Sequence, residues 1–375
     1  MKITFLLPDA GLSGGTRVVA TYADRLQKRG HEVTVVSFPM APPSTKQRIK
    51  AMLKGRILTK PKKSASHFDG LAIPQRIINR YRPLTDRDVP DADVVIATWW
   101  ETAEWAAKLS ASKGAKAYFL QHYEIFDYMP KERVMATWRL PLHKITISQW
   151  LVETAKTVFG DDDVALVPNS VDTKQFNAPP RRKQQQPTVG LLYSHVYWKG
   201  CDISLKAFDL SLKSIPNLRL VAFGFESPSS DLPLPPGSRF VLQPPQNQIK
   251  ELYSSCDVWL CGSWSEGFHL PPLEAMACRC PVVSTQVGGP LDTVVNGVNG
   301  YLAPVGNSEG LSRRIVQVCQ SSEEQWKAMS DAAYATAVRY TWDDATDRFE
   351  AALAKATAKS MAIEKRALRA EKARS

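Results

Sequence analysis

The chain has 375 residues, of which 44% are hydrophobic and 23% charged, with a formal net charge of +11. These are ordinary figures for a globular protein long enough for two domains, and no apolar run approaches the ~20 residues that a membrane-spanning helix needs. The positive charge points to an anionic partner but does not choose among a nucleotide-sugar, an anionic membrane and nucleic acid.

At the N-terminus, Met1 to Leu7 looks briefly like a signal peptide. Pro8-Asp9 cuts its apolar part short and no small-residue cleavage site follows, so Ile3 to Leu7 reads as a buried first strand. Gly11, Gly14 and Gly15 come next, then an amphipathic helix from Val18 to Arg29 ending at Gly30, and a strand within His31 to Phe38. This is a β-α-β unit with a Gly-rich first turn, where small residues let backbone N–H groups approach a phosphate. A dinucleotide dehydrogenase is the rival reading. Its fingerprint is Gly-x-Gly-x-x-Gly with an acidic residue after the second strand. Here the spacing is Gly-x-x-Gly-Gly and the second strand ends in Ser37-Phe38-Pro39.

Residues 44 to 66 are the most biased segment. Lys46, Arg48, Lys50, Lys54, Arg56, Lys60, Lys62 and Lys63 occur there without an acidic residue, and Ile49, Met52, Leu53, Ile57 and Leu58 interleave at helical spacing. A membrane-surface or polyanion contact and a solvated basic face fit this pattern equally.

Asp91 to Trp99 holds a third strand around Val94-Val95-Ile96-Ala97, followed by Trp99-Trp100-Glu101. Aromatics at a strand end can stack on a sugar ring, but they more often belong to the core. Glu104 to Ser110 reads as a helix, and Ala117 to Leu120 as a strand with His122 and Glu124 at its end. Ligands of doubly wound sheets bind outside the carboxyl ends of strands. Lys144 to Ile147 is another strand, Gln149-Trp150 opens a helix, and Val164 to Val167 leads into Pro168-Asn169-Ser170-Val171-Asp172. The polar stretch Arg181 to Pro187 reads as a linker.

Thr188 to Tyr193 starts a new sheet, and the following segment carries His195, Lys199 and Gly200. Leu218 to Phe225 is a strand, Phe240 to Gln248 lies at the mouth of the sheet, and Ile249 to Ser255 is helical. Val258 to Cys261 is a short buried strand. Glu266-Gly267 then makes a turn, Pro271-Pro272 starts a helix with Glu274 in its first turn, and Pro281 to Ser284 begins the next strand. Free N–H groups and the dipole make that helix end a site for anions such as a diphosphate. Dipole stabilisation alone would account for Glu274, but not for both carboxylates with the Gly and the Pro pair. Ser308 to Cys319 and Ser322 to Tyr340 are helices, and Lys355 to Arg374, rich in Ala, Lys and Arg, reads as a solvated helix extension, with a second membrane contact as the alternative. The six cysteines, Cys201, Cys256, Cys261, Cys278, Cys280 and Cys319, include no Cys-x-x-Cys pair and read as buried reduced thiols.

The stretch from Gly262 to Gly289 resembles the signature of retaining GT-B glycosyltransferases of family four: Glu, seven residues, Glu, with Gly-Phe after the first. The resemblance covers most of the chain and is strongest from 240 to 304. It implies an α/β GT-B fold of two doubly wound Rossmann-like domains facing across a cleft. Residues 1–180 would be the acceptor-side domain and 187–340 the nucleotide-sugar domain. A helix at about 341–355, after Thr341-Trp342-Asp-Asp, would cross back to the first domain, leaving 356–375 as a basic tail.

By the same resemblance, Glu266 would hold the donor sugar's hydroxyls, Glu274 the ribose and Lys199 the diphosphate. His122 would face the reacting sugar, with Glu124 orienting it or contacting acceptor. Gly14 and Gly15 would lie beside the donor phosphates and the acceptor. Asn169, His195, Gly267, Phe268, His269 and Leu270 complete the expected substrate-binding set, and Asn299-Gly300-Tyr301-Leu302 resembles a structural turn of the family.

Three positions depart from the family pattern. His269 and Ser170 replace glycines, and Tyr193 stands where an Arg usually provides a second phosphate cation. His195 and Arg17 are candidates to replace that cation. The implied activity is retaining, metal-independent hexosyl transfer without a cofactor. The donor would be a nucleotide-sugar and the acceptor a glycan or lipid-linked glycan in cell-surface polysaccharide synthesis. The expected location is cytoplasmic with no nucleic acid partner, and contact with the inner face of an anionic membrane through 46–63 is one of the two readings of that segment. Tyr193 keeps open a catalytically silent nucleotide-sugar-binding subunit. The fold also admits a nucleotide-sugar epimerase, and the charge a nucleic-acid-binding protein.

Overall fold

The computed structural model describes residues 1–39 and 65–372. The basic segment 46–63 lies outside the described residues. Two compact units form: one of Met1–Thr146, Thr154–Ala165 and the chain from Thr346 on, the other of Ile147–Glu153 and Leu166–Ala345.

Short apolar runs build the sheet of the first unit. Its strands are β1 (Lys2–Leu6), β2 (Glu32–Ser37), β3 (Gln75–Ile77), β4 (Val94–Ala97), β5 (Ala115–Leu120), β6 (His143–Thr146) and β7 (Val164–Leu166), in the order β3-β2-β1-β4-β5-β6-β7. From β3 through β6 the pairing is parallel. Val94, Val95, Ile96 and Ala97 are all buried, as strands covered on both faces require. The edge strand β3 is exposed along its length and carries no apolar alternation that would mark it as a strand.

The first helix, α1 (Gly14–Lys28), starts four residues before Val18. Ser13 caps it, its Oγ accepting the Thr16 N–H at 3.1 Å. Gly14 and Gly15 therefore form the first turn of the helix and not a turn ahead of it. Helix α2 (Trp100–Ala106) also starts early, and Trp100 is buried, so this tryptophan belongs to the core. Helices α3 (Lys131–Thr137) and α4 (Gln149–Phe159) follow.

The second unit has a six-stranded parallel sheet of order β10-β9-β8-β11-β12-β13. Its strands are β8 (Thr188–Tyr193), β9 (Arg219–Gly224), β10 (Arg239–Leu242), β11 (Val258–Cys261), β12 (Val282–Thr285) and β13 (Gly300–Ala303). Gly300-Tyr301-Leu302 thus opens the last strand and is not a turn. Helices α5 (Cys201–Leu212), α6 (Ile249–Ser254), α7 (Leu270–Ala277), α8 (Gly288–Thr293), α9 (Ser308–Gln320) and α10 (Glu323–Val338) accompany the sheet. Leu191, Phe208, Leu260, Leu311 and Trp326 pack in its core. All six cysteines are free and buried.

The last helix, α11 (Trp342–Lys372), joins the first unit from Thr346 onward. Phe349 stacks on Tyr22 at 4.3 Å and meets Phe119 edge-on at 5.1 Å. Residues 356–372 continue this helix. Among the described residues no helix is long and apolar enough to cross a membrane. The first sheet reverses its order between β1 and β4, the second between β8 and β11. Crevices at such reversals are where open α/β sheets take their ligands.

Candidate functional site

In the second unit, the loops leaving β8 and β11 meet at the reversal of the sheet. Two glycines allow the approach. Gly200 has φ 56°, and a Cβ there would lie 1.9 Å from the Gly262 carbonyl oxygen. A Cβ on Gly262 would lie 2.6 Å from Ser204 Oγ. With the backbones this close, Lys199 Nζ donates to both carboxylate oxygens of Glu266, at 3.0 and 2.9 Å. Ser263 Oγ donates to Glu266 Oε1 at 2.8 Å.

Glu266 is buried, while the Lys199 side chain is 31% exposed. Burial works against the charged Glu266 carboxylate, but His269 and Lys199 outweigh it, and the group lies below its ordinary pKa. His269 is itself pushed by burial down to about 4. At neutral pH it is uncharged, so Lys199 is the cation that keeps Glu266 ionised.

His269 has the left-handed backbone (φ 71°) that glycine would take without strain. Its Nε2 lies 3.6 Å from Glu266 Oε1, and its Nδ1 is buried without a hydrogen-bond partner. The loop around it is clamped through its carbonyls. Gly267 O accepts from Ser148 Oγ and Trp150 Nε1, both at 2.9 Å, and Phe268 O accepts from Gly289 N–H at 2.6 Å.

Two expectations for α7 are corrected. Leu270 is its first residue and Pro271 and Pro272 follow. Prolines carry no N–H, so of the four orphan donors of this end only those of His269 and Leu270 remain. Glu274 is the fifth helical residue, beyond the first turn, where its buried carboxylate accepts the Tyr253 hydroxyl at 2.8 Å.

Tyr193 is buried at the end of β8. Its hydroxyl donates to Leu232 O at 2.7 Å and accepts the Ser229 N–H at 3.1 Å. It tethers the loop after β9. His195 contacts the same loop through Nε2 and Ser227 O at 3.0 Å, and its ring packs edge-on against Tyr193 at 5.2 Å. Both side chains are committed to that loop and not to Lys199. Arg17 lies in α1 of the first unit.

The remaining expected residues divide between the units. Gly14 and Gly15 open α1, where Gln121 Nε2 donates to Gly15 O at 3.3 Å. The His122 ring lies 4.9 Å from that of Phe126. Glu124 is fully buried, and burial holds its carboxyl well above the usual range. It accepts the Trp100 N–H at 3.2 Å, so it secures the start of α2. Asn169 belongs to the second unit and is buried, its Oδ1 without a partner. Beside it, Ser170 Oγ donates to Tyr340 O at 2.6 Å.

The structure thus unites Lys199, Glu266, Gly267 and His269 in one cluster, with Phe268 in the same loop and Leu270 and Glu274 on the adjoining helix. Ser263, Ser148, Trp150 and Tyr253 support these groups and escaped the sequence reading. Ser263 alone had a local signal, three residues before Glu266. Among the described residues no three His, Cys, Asp or Glu side chains are grouped to hold a metal ion.

Two family models match. Residues 12–175 match the one described as Glycosyltransferase Family 4, and residues 172–336 the one described as Glycosyl transferases group 1. The D-inositol 3-phosphate glycosyltransferase of Mycobacterium leprae (strain Br4923) is 31% identical over 196 residues, 47% of this chain and 45% of the relative. The chain thus spans about half the length of this curated relative. The crystal structure of Anabaena Alr3699/HepE in complex with UDP and glucose is similar with a TM-score of 0.70 and 18% identity, over 95% of this chain and 100% of that one. Sucrose-phosphate synthase from Thermosynechococcus elongatus is similar with a TM-score of 0.63 and 15% identity, over 99% and 100%. Both likenesses are likenesses of fold: two Rossmann-like lobes of the GT-B type.

Proposed function

Because the chain belongs to the GT-B glycosyltransferases whose two family models together span residues 12–336, we propose that it moves a hexosyl group from a UDP-sugar to a glycan or lipid-linked acceptor. Transfer occurs with retention and without a metal, in cell-surface polysaccharide synthesis. The choice of uridine nucleotide is supported by the likeness to HepE, whose structures hold UDP and UDP-glucose.

The observation that carries this reading is the Lys199–Glu266 pair at the reversal of the second sheet. A donor diphosphate competes with Glu266 for the ammonium of Lys199. As Lys199 turns to the phosphates, Glu266 is released to accept hydroxyls of the donor sugar, and Glu274 accepts those of the ribose. The two N–H groups left at the start of α7 add to the stabilisation of the leaving diphosphate. The bond from the sugar carbon to the diphosphate breaks, and its electron pair leaves with the phosphate. The acceptor oxygen bonds to the same carbon and gives its proton to the departing diphosphate oxygen. His122, Gly14 and Gly15, of the first unit, belong to the proposed substrate-binding set. Asn169, His195, Phe268, His269 and Leu270 complete the proposed substrate-binding set. Docking through 46–63 to an anionic membrane rests on composition, and sedimentation with anionic against neutral vesicles tests it.

One observation favours a second reading. The Tyr193 hydroxyl is engaged with Leu232 and Ser229, so no cation stands at that position for a second phosphate contact. A binding subunit without turnover would tolerate this loss. A thermal-shift screen against UDP-, GDP- and dTDP-sugars tests the main reading, since a bound donor raises stability by mass action. A shift with UDP-glucose is expected, together with release of UDP once a glycan acceptor is added. A shift without UDP release would select the silent subunit, and no shift with any donor would remove both.

A further inference from the structure

The transfer proposed above needs a surface for its acceptor, and the inference drawn for the first unit rests on that reading. Where that sheet reverses, the segments leaving β1, β2, β3 and β4 at their carboxyl ends carry Asp9, Phe38, Tyr81 and Glu101. Tyr81 is 50% exposed. Its ring is nevertheless fixed, with centroids 4.8 Å from Phe38 and 5.6 Å from Trp105, both buried. Its hydroxyl donates to Glu101 Oε2. Asp9 Oδ1 accepts the Gly11 N–H at 2.8 Å. Glu101 and Asp9 each keep a carboxylate oxygen without a hydrogen-bond partner among the described residues. Both carboxylates act on the Tyr81 phenol, whose pKa is raised by burial, then by Glu101 and Asp9.

We infer that Tyr81 is the stacking surface for an uncharged pyranose of the acceptor, with Glu101 and Asp9 accepting its hydroxyls. Pyranose C–H bonds carry partial positive charge and rest favourably on the negative face of an aromatic ring. A ring already held by Phe38, Trp105 and Glu101 loses little freedom when a sugar covers it. The free carboxylate oxygens accept O–H groups in charge-assisted bonds. The same oxygens repel a phosphate. The acceptor at this position is therefore a neutral sugar, and a polyol phosphate such as the one in the relative's name is disfavoured.

The test uses NMR titration of the full chain with the methyl glycosides of glucose, galactose, mannose and N-acetylglucosamine, and with glycerol 3-phosphate. At least one glycoside should bind saturably, and glycerol 3-phosphate should not. Tyr81→Ala should weaken the glycoside about 10-fold. Tyr81→Phe keeps the ring, and so should weaken it less. Glu101→Gln leaves the aromatic packing in place and should also weaken it, which guards against misfolding of the alanine variant. Calorimetry with UDP, GDP and dTDP, run on the same samples, should show nucleotide binding unchanged across the variants. The inference is overturned by tighter binding of glycerol 3-phosphate, by no glycoside binding, or by equal glycoside affinity in Tyr81→Ala. Nucleotide binding without glycoside binding overturns the acceptor assignment alone, whereas no nucleotide binding by the wild type overturns the transfer reading beneath it.

Discussion

Lys199 and Glu266 each serve as the other's counter-ion, and that changes what a substitution does. With Lys199 removed, a buried carboxylate keeps only Ser263 and a neutral His269 beside it. Lys199→Ala should therefore lower the melting temperature, by a loss of about 1–3 kcal/mol once solvent exposure of the lysine is discounted. It should also weaken UDP about 10- to 150-fold, the worth of a charged hydrogen bond. Adding Glu266→Gln to Lys199→Ala should restore much of the stability but none of the nucleotide affinity. A double-mutant cycle reads both effects, and additive melting losses would disprove the pairing. His269 carries a pH dependence. Its folded pKa is lowered from 6.5 to about 4, so the unfolded chain takes up a proton in this window while the folded one does not. The stabilisation is complete above pH 6.5 and falls by about 3 kcal/mol as the pH drops towards 4. His143, also lowered to about 4, adds a similar slope. In His269→Asn, whose side chain tolerates left-handed backbone, urea titrations at pH 7 and pH 4 should show a smaller loss than in the wild type. Equal losses would place the proton elsewhere.

At the scale of elements, two glycines set the distance between the β8 and β11 loops. Gly200→Ala puts a Cβ 1.9 Å from the Gly262 oxygen and gives a non-glycine residue φ 56°. The backbone must move, and Lys199 moves with it. This variant should lose more than the ~1 kcal/mol of an ordinary left-handed alanine and should lose UDP affinity together with stability. Folded protein with wild-type UDP binding would show that the approach of the loops is not needed. Much of this element structure was legible. The apolar runs of β1, β4, β8 and β11 marked strands, and Gly-x-x-Gly-Gly marked a break after β1. The start of α1 was misplaced because Gly14 and Gly15 have no side chains to show periodicity, and the cap at Ser13 was the better signal. Strand β3 has three exposed residues and no pattern to read. The Lys199–Glu266 contact joins residues 67 apart in sequence, and its cause is the adjacency of β8 and β11, which local pattern does not reveal. Tyr193 was read as a missing cation, whereas its own hydroxyl partners, Leu232 and Ser229, depend on where the β9 loop folds back.

For the whole molecule, the chain does not divide at one point. It leaves the first unit, builds the second, and returns at Thr346 to finish the first. The returning helix contributes to a core and does not merely lie over it. Phe349 is fully buried and contacts Tyr22, Phe119 and Phe5. At the surface of the same helix, Glu350 takes His31 Nε2 at 2.6 Å and Arg29 at 2.5 Å, and Arg29 also reaches Asp347. A chain of two units is not held to a single unfolding transition. Calorimetry can therefore assign each transition separately. Phe349→Ala removes a large buried ring and should cost the first unit about 3–5 kcal/mol, lowering one transition. UDP, for which Lys199 and Glu274 are the proposed contacts, should raise the other. The separation matters because the helix is encoded after the second unit yet stabilises the first. If Phe349→Ala lowered the UDP-sensitive transition and left the other in place, the helix would belong energetically to the second unit. If one transition moved with both changes, the two units would unfold as a single cooperative body. In the expected case the variant keeps its nucleotide affinity at temperatures where the glycoside platform at Tyr81 is already lost.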